Sequence, residues 1–409
     1  MDLIIRDARL RHRDGVTDIG IAGGRIEVLA PRIAGHAAEE VDAAGQLTTP
    51  AFVEPHIHLD KVLTAERARE NQTNVFEEAV AIMREVKRAY TVEDVADRAT
   101  RVIHWMVGHG VTQVRSYVDV DTVVGLTALE GVLAARERCR RLAHVELIAF
   151  PQEGIWCDPG ADELMRQAME RGADVVGGMP FAEMIAADSE RHIEFALALA
   201  RRFDRDVQMH VDESDDPGAR TLHAYAVAAI KAGWQGRVTA DHVTALAAYD
   251  DNYAAQVIGL VARARMNVVT LPTKLMRGGV RDKEPRRRGI TRVKELLAAG
   301  VNVAYGQDVV QDGFLPFFGT GDPLQVGFLL AFAAQLSSRA SIETLYDMAT
   351  VNGARIMGRA DHGIEVGRRA DLIVVAAPSV QEAYRTQAAR LAVVHDGRVV
   401  ARNGRVVDG

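Results

Sequence analysis

The run Phe52-Val53-Glu54-Pro55-His56-Ile57-His58 is short, mostly apolar, and ends on two histidines separated by one residue. In an extended strand, residues i and i+2 share a face, so both imidazoles point the same way. Seven further runs of this kind follow, at 111–118, 145–152, 174–179, 207–213, 237–243, 267–271 and 302–308. Helix-period segments lie between them, at 123–140, 191–203, 221–232, 293–299 and 324–336. Eight strand–helix units predict an α/β chain built as a (β/α)₈ barrel over residues 49–361. A doubly wound sheet also alternates strand and helix, but eight units favour closure.

The ends of the chain have a different pattern. Leu3-Ile4-Ile5, Asp18-Ile19-Gly20-Ile21-Ala22 and Arg25-Ile26-Glu27-Val28 are short apolar runs, the last two joined by Gly23-Gly24. Near the C-terminus, Leu372-Ile373-Val374-Val375, Leu391-Ala392-Val393-Val394 and Arg398-Val399-Val400 repeat the arrangement, with Asp396-Gly397 as the turn. Gly-Gly and Asp-Gly between apolar runs are hairpin signals. Neither end has enough strands to enclose a core, so residues 1–48 and 362–409 are expected to combine into one small β-sandwich.

In such barrels chemistry sits at the C-terminal ends of the strands. Here the first run ends in His56 and His58, the fifth in His210-Val211-Asp212-Glu213, the sixth in Asp241-His242, and the eighth in Gln307-Asp308. A single His-x-His is weak, and an aspartate at a strand end is most often a cap or turn residue. Four such runs with their polar groups at one end make a joint pattern that points to a metal site. Imidazoles mixed with carboxylate suit one divalent ion, Zn²⁺ or Fe²⁺, better than Mg²⁺ or Ca²⁺. Such an ion generates a hydroxide near neutral pH, and hydrolysis then needs a base and an acid. Asp308 is placed to be the base, and Glu213, three residues beyond His210, to reach the substrate.

Composition narrows the alternatives. The chain has 409 residues, 48% of them hydrophobic and 26% charged, which is ordinary globular usage. The net charge of −7 argues against nucleic acid or an anionic membrane as partner. Two cysteines exclude a disulfide framework and favour a reducing compartment. The N-terminus lacks the apolar core of a secretory signal, and the most apolar stretch, 326–336, is too short to span a bilayer. A cytoplasmic protein is expected. No Gly-x-Ser-x-Gly, Walker A or His-Glu-x-x-His motif occurs. Gly319-Thr320-Gly321 reads as a turn, the basic stretch Arg286-Arg287-Arg288 as a solvated loop, and Cys157 as an ordinary loop or buried cysteine.

Val53-Glu54-Pro55-His56-Ile57-His58-Leu59-Asp60 resembles the first-strand motif of the amidohydrolase superfamily, in particular of the bacterial cytosine deaminases. The likeness continues through Phe150-Pro151-Gln152-Glu153-Gly154-Ile155, His210-Val211-Asp212-Glu213, Arg288-Gly289-Ile290-Thr291-Arg292 and Gly306-Gln307-Asp308. It implies a mononuclear site with His56, His58, His210 and Asp308 as ligands. It also implies that His242 orients the hydroxide, that Glu213 carries a proton to a ring nitrogen, and that Gln152 binds the ring's amide edge. Binuclear relatives use a carbamylated lysine on the fourth strand, and residues 145–206 contain no lysine.

The chain departs from that pattern around the substrate. Val309 stands where cytosine deaminases carry a second aspartate, Phe314 where they carry tryptophan, Tyr117 where they carry histidine, and Asp241 where they carry serine. Val309, Phe314 and Tyr117 are therefore expected substrate contacts, and Met276 a further candidate against a flat ring. The resemblance implies a deaminase in which metal hydroxide attacks a ring C–NH₂ carbon of cytosine or a similar heterocycle, releasing ammonia. Two alternatives remain: release of an amine from an N-alkylaminotriazine such as N-isopropylammelide, or a non-catalytic scaffold on the same fold. The expected partners are a small heterocyclic substrate and, because this fold commonly assembles, further copies of the chain.

Overall fold

The computed structural model describes residues 1–73, 76–273 and 289–407. Met276 and Arg286, Arg287 and Arg288 lie outside them.

Eight parallel strands form one sheet in sequential order: Phe52–His58, Val111–Asp119, His144–Phe150, Val175–Val176, Val207–Val211, Val238–His242, Asn267–Thr270 and Val303–Tyr305. All eight sequence runs become strands, though the fourth pairs over only two residues. The strands are buried along nearly their whole length because helices cover the outer face. Those helices include Val92–Gly108, Thr127–Arg138, Ala161–Arg171, Ala186–Phe203, Thr221–Lys231, Asp251–Arg263 and Pro323–Ala333.

The sheet closes at its C-terminal rim. The Asp308 amide donates to the His56 carbonyl at 2.9 Å, and the His58 amide donates to the Asp308 carbonyl at 3.0 Å. Gly306 makes this approach possible: a Cβ there would lie 2.6 Å from Glu54 Oε1 and 2.8 Å from the His56 carbonyl oxygen. The Glu54 carboxylate spans the seam as well, accepting from the amides of His56 (2.9 Å) and Gln307 (3.0 Å).

The two ends of the chain form a nine-stranded mixed sheet. Leu47–Pro50 pairs antiparallel with Leu372–Val375, which joins the N-terminal and C-terminal strands. The two expected hairpins are present: Thr17–Ala22 with Arg25–Ala30, and Arg390–His395 with Arg398–Arg402. Leu3, Ile5, Ile19, Ile21 and Ile26 pack against Leu372, Val374, Ala392 and Val394 in a core fed from both ends. Among the described residues, no helix is long and apolar enough to cross a membrane.

Candidate metal centre and its cavity

The first barrel strand brings His56 and His58 to the rim together, and closure sets Asp308 against both. Asp308 Oδ1 lies 3.4 Å from His56 Nε2 and 3.5 Å from His58 Nε2. The fifth and sixth strands add His210 and His242, whose ring centroids are 4.6 Å apart, with His56 4.7 Å from His210 and 5.2 Å from His242. Glu213 Oε2 sits 3.5 Å from His242 Nε2 and 3.7 Å from His210 Nδ1. All six side chains are buried.

Backbone strain helps assemble the group. Asp212, His242, Val243 and Asp308 have φ of +48°, +66°, +48° and +67°. This left-handed region is unusual for non-glycine residues and is found at sites that the surrounding fold over-determines. Its effect is visible at the sixth strand, where alternation would send Asp241 and His242 to opposite faces. Both instead face the barrel interior, because the pleat breaks at His242.

Asp241 is a site residue to which the sequence reading gave no role. Its Oδ2 accepts from His56 Nδ1 (2.6 Å), Tyr117 Oη (2.8 Å) and Gln208 Nε2 (2.7 Å). Burial alone would lower the His56 pKa, but the Asp241 carboxylate, with Asp308 adding to it, outweighs burial and raises the imidazole to about 9. This contact turns His56 Nε2 toward Asp308, the arrangement by which an outer carboxylate orients a ligating imidazole. Tyr117 differs from its expected position: it is wholly buried behind the histidines, stacked on His58 and bonded to Asp241, and does not line the cavity.

The donor atoms fit a cation. Ligand atoms of His56, His210 and His242 lie within 4.8 Å of one another, as do those of His56, His58 and Asp308. Among the described residues, His56 Nε2 and both ring nitrogens of His242 are buried without a hydrogen-bond partner. Orphaned polar atoms in a dry site are costly unless an ion or water meets them. His58, Asp60 and Asp119 form a third cluster. Asp119 there is already bonded to two ammoniums, Lys61 (2.9 Å) and Lys87 (3.1 Å), which suits a cation less well.

A small cavity opens beside the histidines, lined by His58, Lys61, Gln152, His210, Glu213, Asp308, Val309 and Phe314. Five of the expected site residues, His58, Gln152, His210, Glu213 and Asp308, therefore meet at it, together with the expected Val309 and Phe314 as apolar walls. Lys61 was not foreseen. It sits in the turn after His58, only 2% exposed, with Nζ 2.6 Å from Gln152 Oε1. The sequence signal was a lysine directly behind His-x-His-x-Asp, unremarkable without knowing that the turn folds inward. The loop after Gln152 is held by Glu183, which accepts from the amides of Ile155, Trp156 and Cys157 and from His192. Cys157 Sγ is bonded to the Glu153 carbonyl, as an ordinary loop cysteine.

Comparison with known proteins agrees with this geometry. Residues 65–407 match the model of the amidohydrolase family. The structure of 5-methylcytosine deaminase from Klebsiella pneumoniae, liganded with 5-fluorocytosine, superposes with a TM-score of 0.93 at 35% identity, covering 99% of this chain and 98% of that one. N-isopropylammelide isopropyl amidohydrolase from Pseudomonas sp. (strain ADP) is 32% identical, covering 99% of this chain and 98% of its own. Pterin deaminase from Rhizobium rhizogenes (strain K84 / ATCC BAA-868) is 31% identical over 96% of this chain and 87% of its own.

Proposed function

Because the chain belongs to the amidohydrolase family, we propose that it is a metal-dependent deaminase that hydrolyses a ring C–NH₂ bond of a cytosine-like heterocycle. The observation that carries this is the convergence of four buried histidines, Asp308 and Glu213 at the C-terminal rim of the barrel, with His58, His210, Glu213 and Asp308 lining a cavity there.

His56, His58, His210 and Asp308 are the residues that would hold the ion. When bound, Zn²⁺ or Fe²⁺ there supplies Lewis acidity, making water nucleophilic near neutral pH. Asp308 takes a proton from the attacking water as its oxygen bonds to the ring carbon. Glu213 protonates the ring nitrogen beside that carbon. Burial holds His242 well below its usual pKa, so its neutral ring keeps one donor and one acceptor to orient the water. The C–N bond then breaks with its electron pair on nitrogen, Asp308 returns its proton to that nitrogen, the Glu213 carboxylate takes the remaining proton of the added hydroxyl and regains its acid form, and ammonia leaves as the ring carbonyl forms. Gln152 positions the ring, while Val309 and Phe314 exclude water from its apolar edge.

The test is ammonia release from a panel of amino-heterocycles by Zn²⁺- and Fe²⁺-loaded protein, with Asp308→Ala as control. Release from at least one ring by wild type alone is the expected result. No release from any ring would overturn the reading. The 32% identity to an isopropylammelide hydrolase supports a second reading, loss of an alkylamine. Detection of the amine from an N-alkylaminotriazine distinguishes it.

A further inference from the structure

We propose that Gln307 is a positioning residue for the substrate. Its side-chain amide closes the neck of the loop at residues 309–321 and so holds Val309 and Phe314 against the cavity, where they set how tightly a flat ring binds. This deepens the deaminase reading and rests on it.

Gln307 is wholly buried and does not line the cavity. Its Nε2 donates to the Val309 carbonyl at 3.0 Å, and its Oε1 accepts from the Gly321 amide at 3.2 Å. One side chain thus ties the first residue of the loop to the last. A glutamine amide suits this task because it carries donors and an acceptor on one neutral group. Gly319 brings the two arms together at the same point. Its φ is +101°, and a Cβ there would lie 2.5 Å from the Val309 carbonyl oxygen and 3.1 Å from Gln307 Nε2.

Residues 309–321 form neither helix nor strand. A loop of this length with its ends drawn together is an Ω-loop, and such loops in compact domains most often serve function. The first arm rests on the turn after the first barrel strand, where the amides of Leu63 and Ala65 donate to the carbonyls of Val310 (3.0 Å) and Gln311 (2.9 Å). The returning arm is tied back to it by Gln307 and by the Gln311 amide, which donates to the Phe318 carbonyl at 2.8 Å. Between the arms, the Asp312 carboxylate accepts from the amides of Phe314 (2.8 Å) and Leu315 (3.0 Å) and turns Phe314 to the cavity.

This role is separable from the metal site. Asp308 is held by backbone bonds to His56 and His58, and the Gln307 amide nitrogen of the main chain by Glu54. None of these uses the Gln307 side chain.

The experiment uses Gln307→Met in the metal-loaded protein, which keeps the volume and removes both hydrogen bonds. Hydrogen exchange across residues 309–321 should speed up by about tenfold, the scale of one lost buried hydrogen bond, with metal content unchanged. Calorimetry with uracil and thymine, flat rings without an amino group, should show binding weakened by about tenfold. With the amino ring turned over best, KM should rise by a similar factor while kcat stays within about threefold. Gly319→Ala opens the same neck from the other arm and should give the same result, and it carries the test if Gln307→Met does not fold. Adding Gln307→Met to Phe314→Ala should cost less binding than it costs wild type, because Gln307 acts through that wall.

Unchanged exchange or unchanged ring binding in Gln307→Met would overturn the proposal. So would loss of metal with a lower kcat at constant KM, since Gln307 would then only support Asp308. A wild type that binds neither ring would overturn it as well. Weaker ring binding in Gln307→Met with no ammonia from any amino ring would sink the deaminase reading and leave the Gln307 assignment standing. Ammonia release with an unchanged KM in Gln307→Met would do the reverse.

Discussion

His56 Nδ1 and Asp241 Oδ2 are 2.6 Å apart, with both side chains fully buried. This contact holds a proton on His56 Nδ1 and turns Nε2 toward Asp308. Replacing Asp241 by asparagine keeps the volume and removes the charge. Metal affinity should fall by about 10–100-fold, the usual cost of losing an outer-shell carboxylate. Competition against a chelator measures it. Asp241→Ala should in addition destabilise the fold by about 3 kcal/mol or more, because three buried donors lose their acceptor.

Glu213 sits between His210 and His242, away from the first-strand histidine pair. Glu213→Gln should retain the ion and cost about 10²–10⁴ in kcat, the range for loss of a proton-transfer group. KM should move far less. Steady-state kinetics alongside metal analysis separate this outcome from a loss of metal.

Gly306→Ala tests the closure of the barrel. The added methyl would meet Glu54 Oε1 and the His56 carbonyl well inside contact distance. The seam must open, at a cost of about 1–3 kcal/mol, which a thermal melt reads directly. Metal affinity should fall with it, because the same seam holds Asp308 against His56 and His58.

Glu183 should give the loop after Gln152 an acid-sensitive anchor. Burial opposes its ionisation, but His192 and the loop amides outweigh that and hold its carboxyl at about 2, below the ordinary 4.5. A depressed carboxylate contributes stability that is fully present above pH 4.5 and is lost as the pH falls toward 2. Urea unfolding of wild type and Glu183→Gln should therefore differ most above pH 4.5 and converge below it. A constant difference across that window would remove the anchor from the account.

Some of this was legible without a structure because it is local. The His56-x-His58 spacing places two imidazoles on one face by strand geometry alone. The Gly23-Gly24 and Asp396-Gly397 turns specify their hairpins through backbone conformations that glycine adopts readily. Tyr117 shows where such reasoning stops: facing the barrel interior places it under the histidines, against Asp241, and not at the cavity.

By itself, then, the sequence determined the eight strand–helix units, a β-domain drawn from both ends of the chain, and the polar residues gathered at one rim. Each depends on periodicity or turn chemistry within a few residues. The tertiary structure alone decided that Lys61 folds inward onto Gln152, that Asp241 and His242 both face the interior, and that Asp308 meets His56 and His58. These contacts join segments up to about 250 residues apart in the chain. They exist because closing the barrel imposes one register and drives His242 and Asp308 to positive φ, neither of which strand alternation encodes.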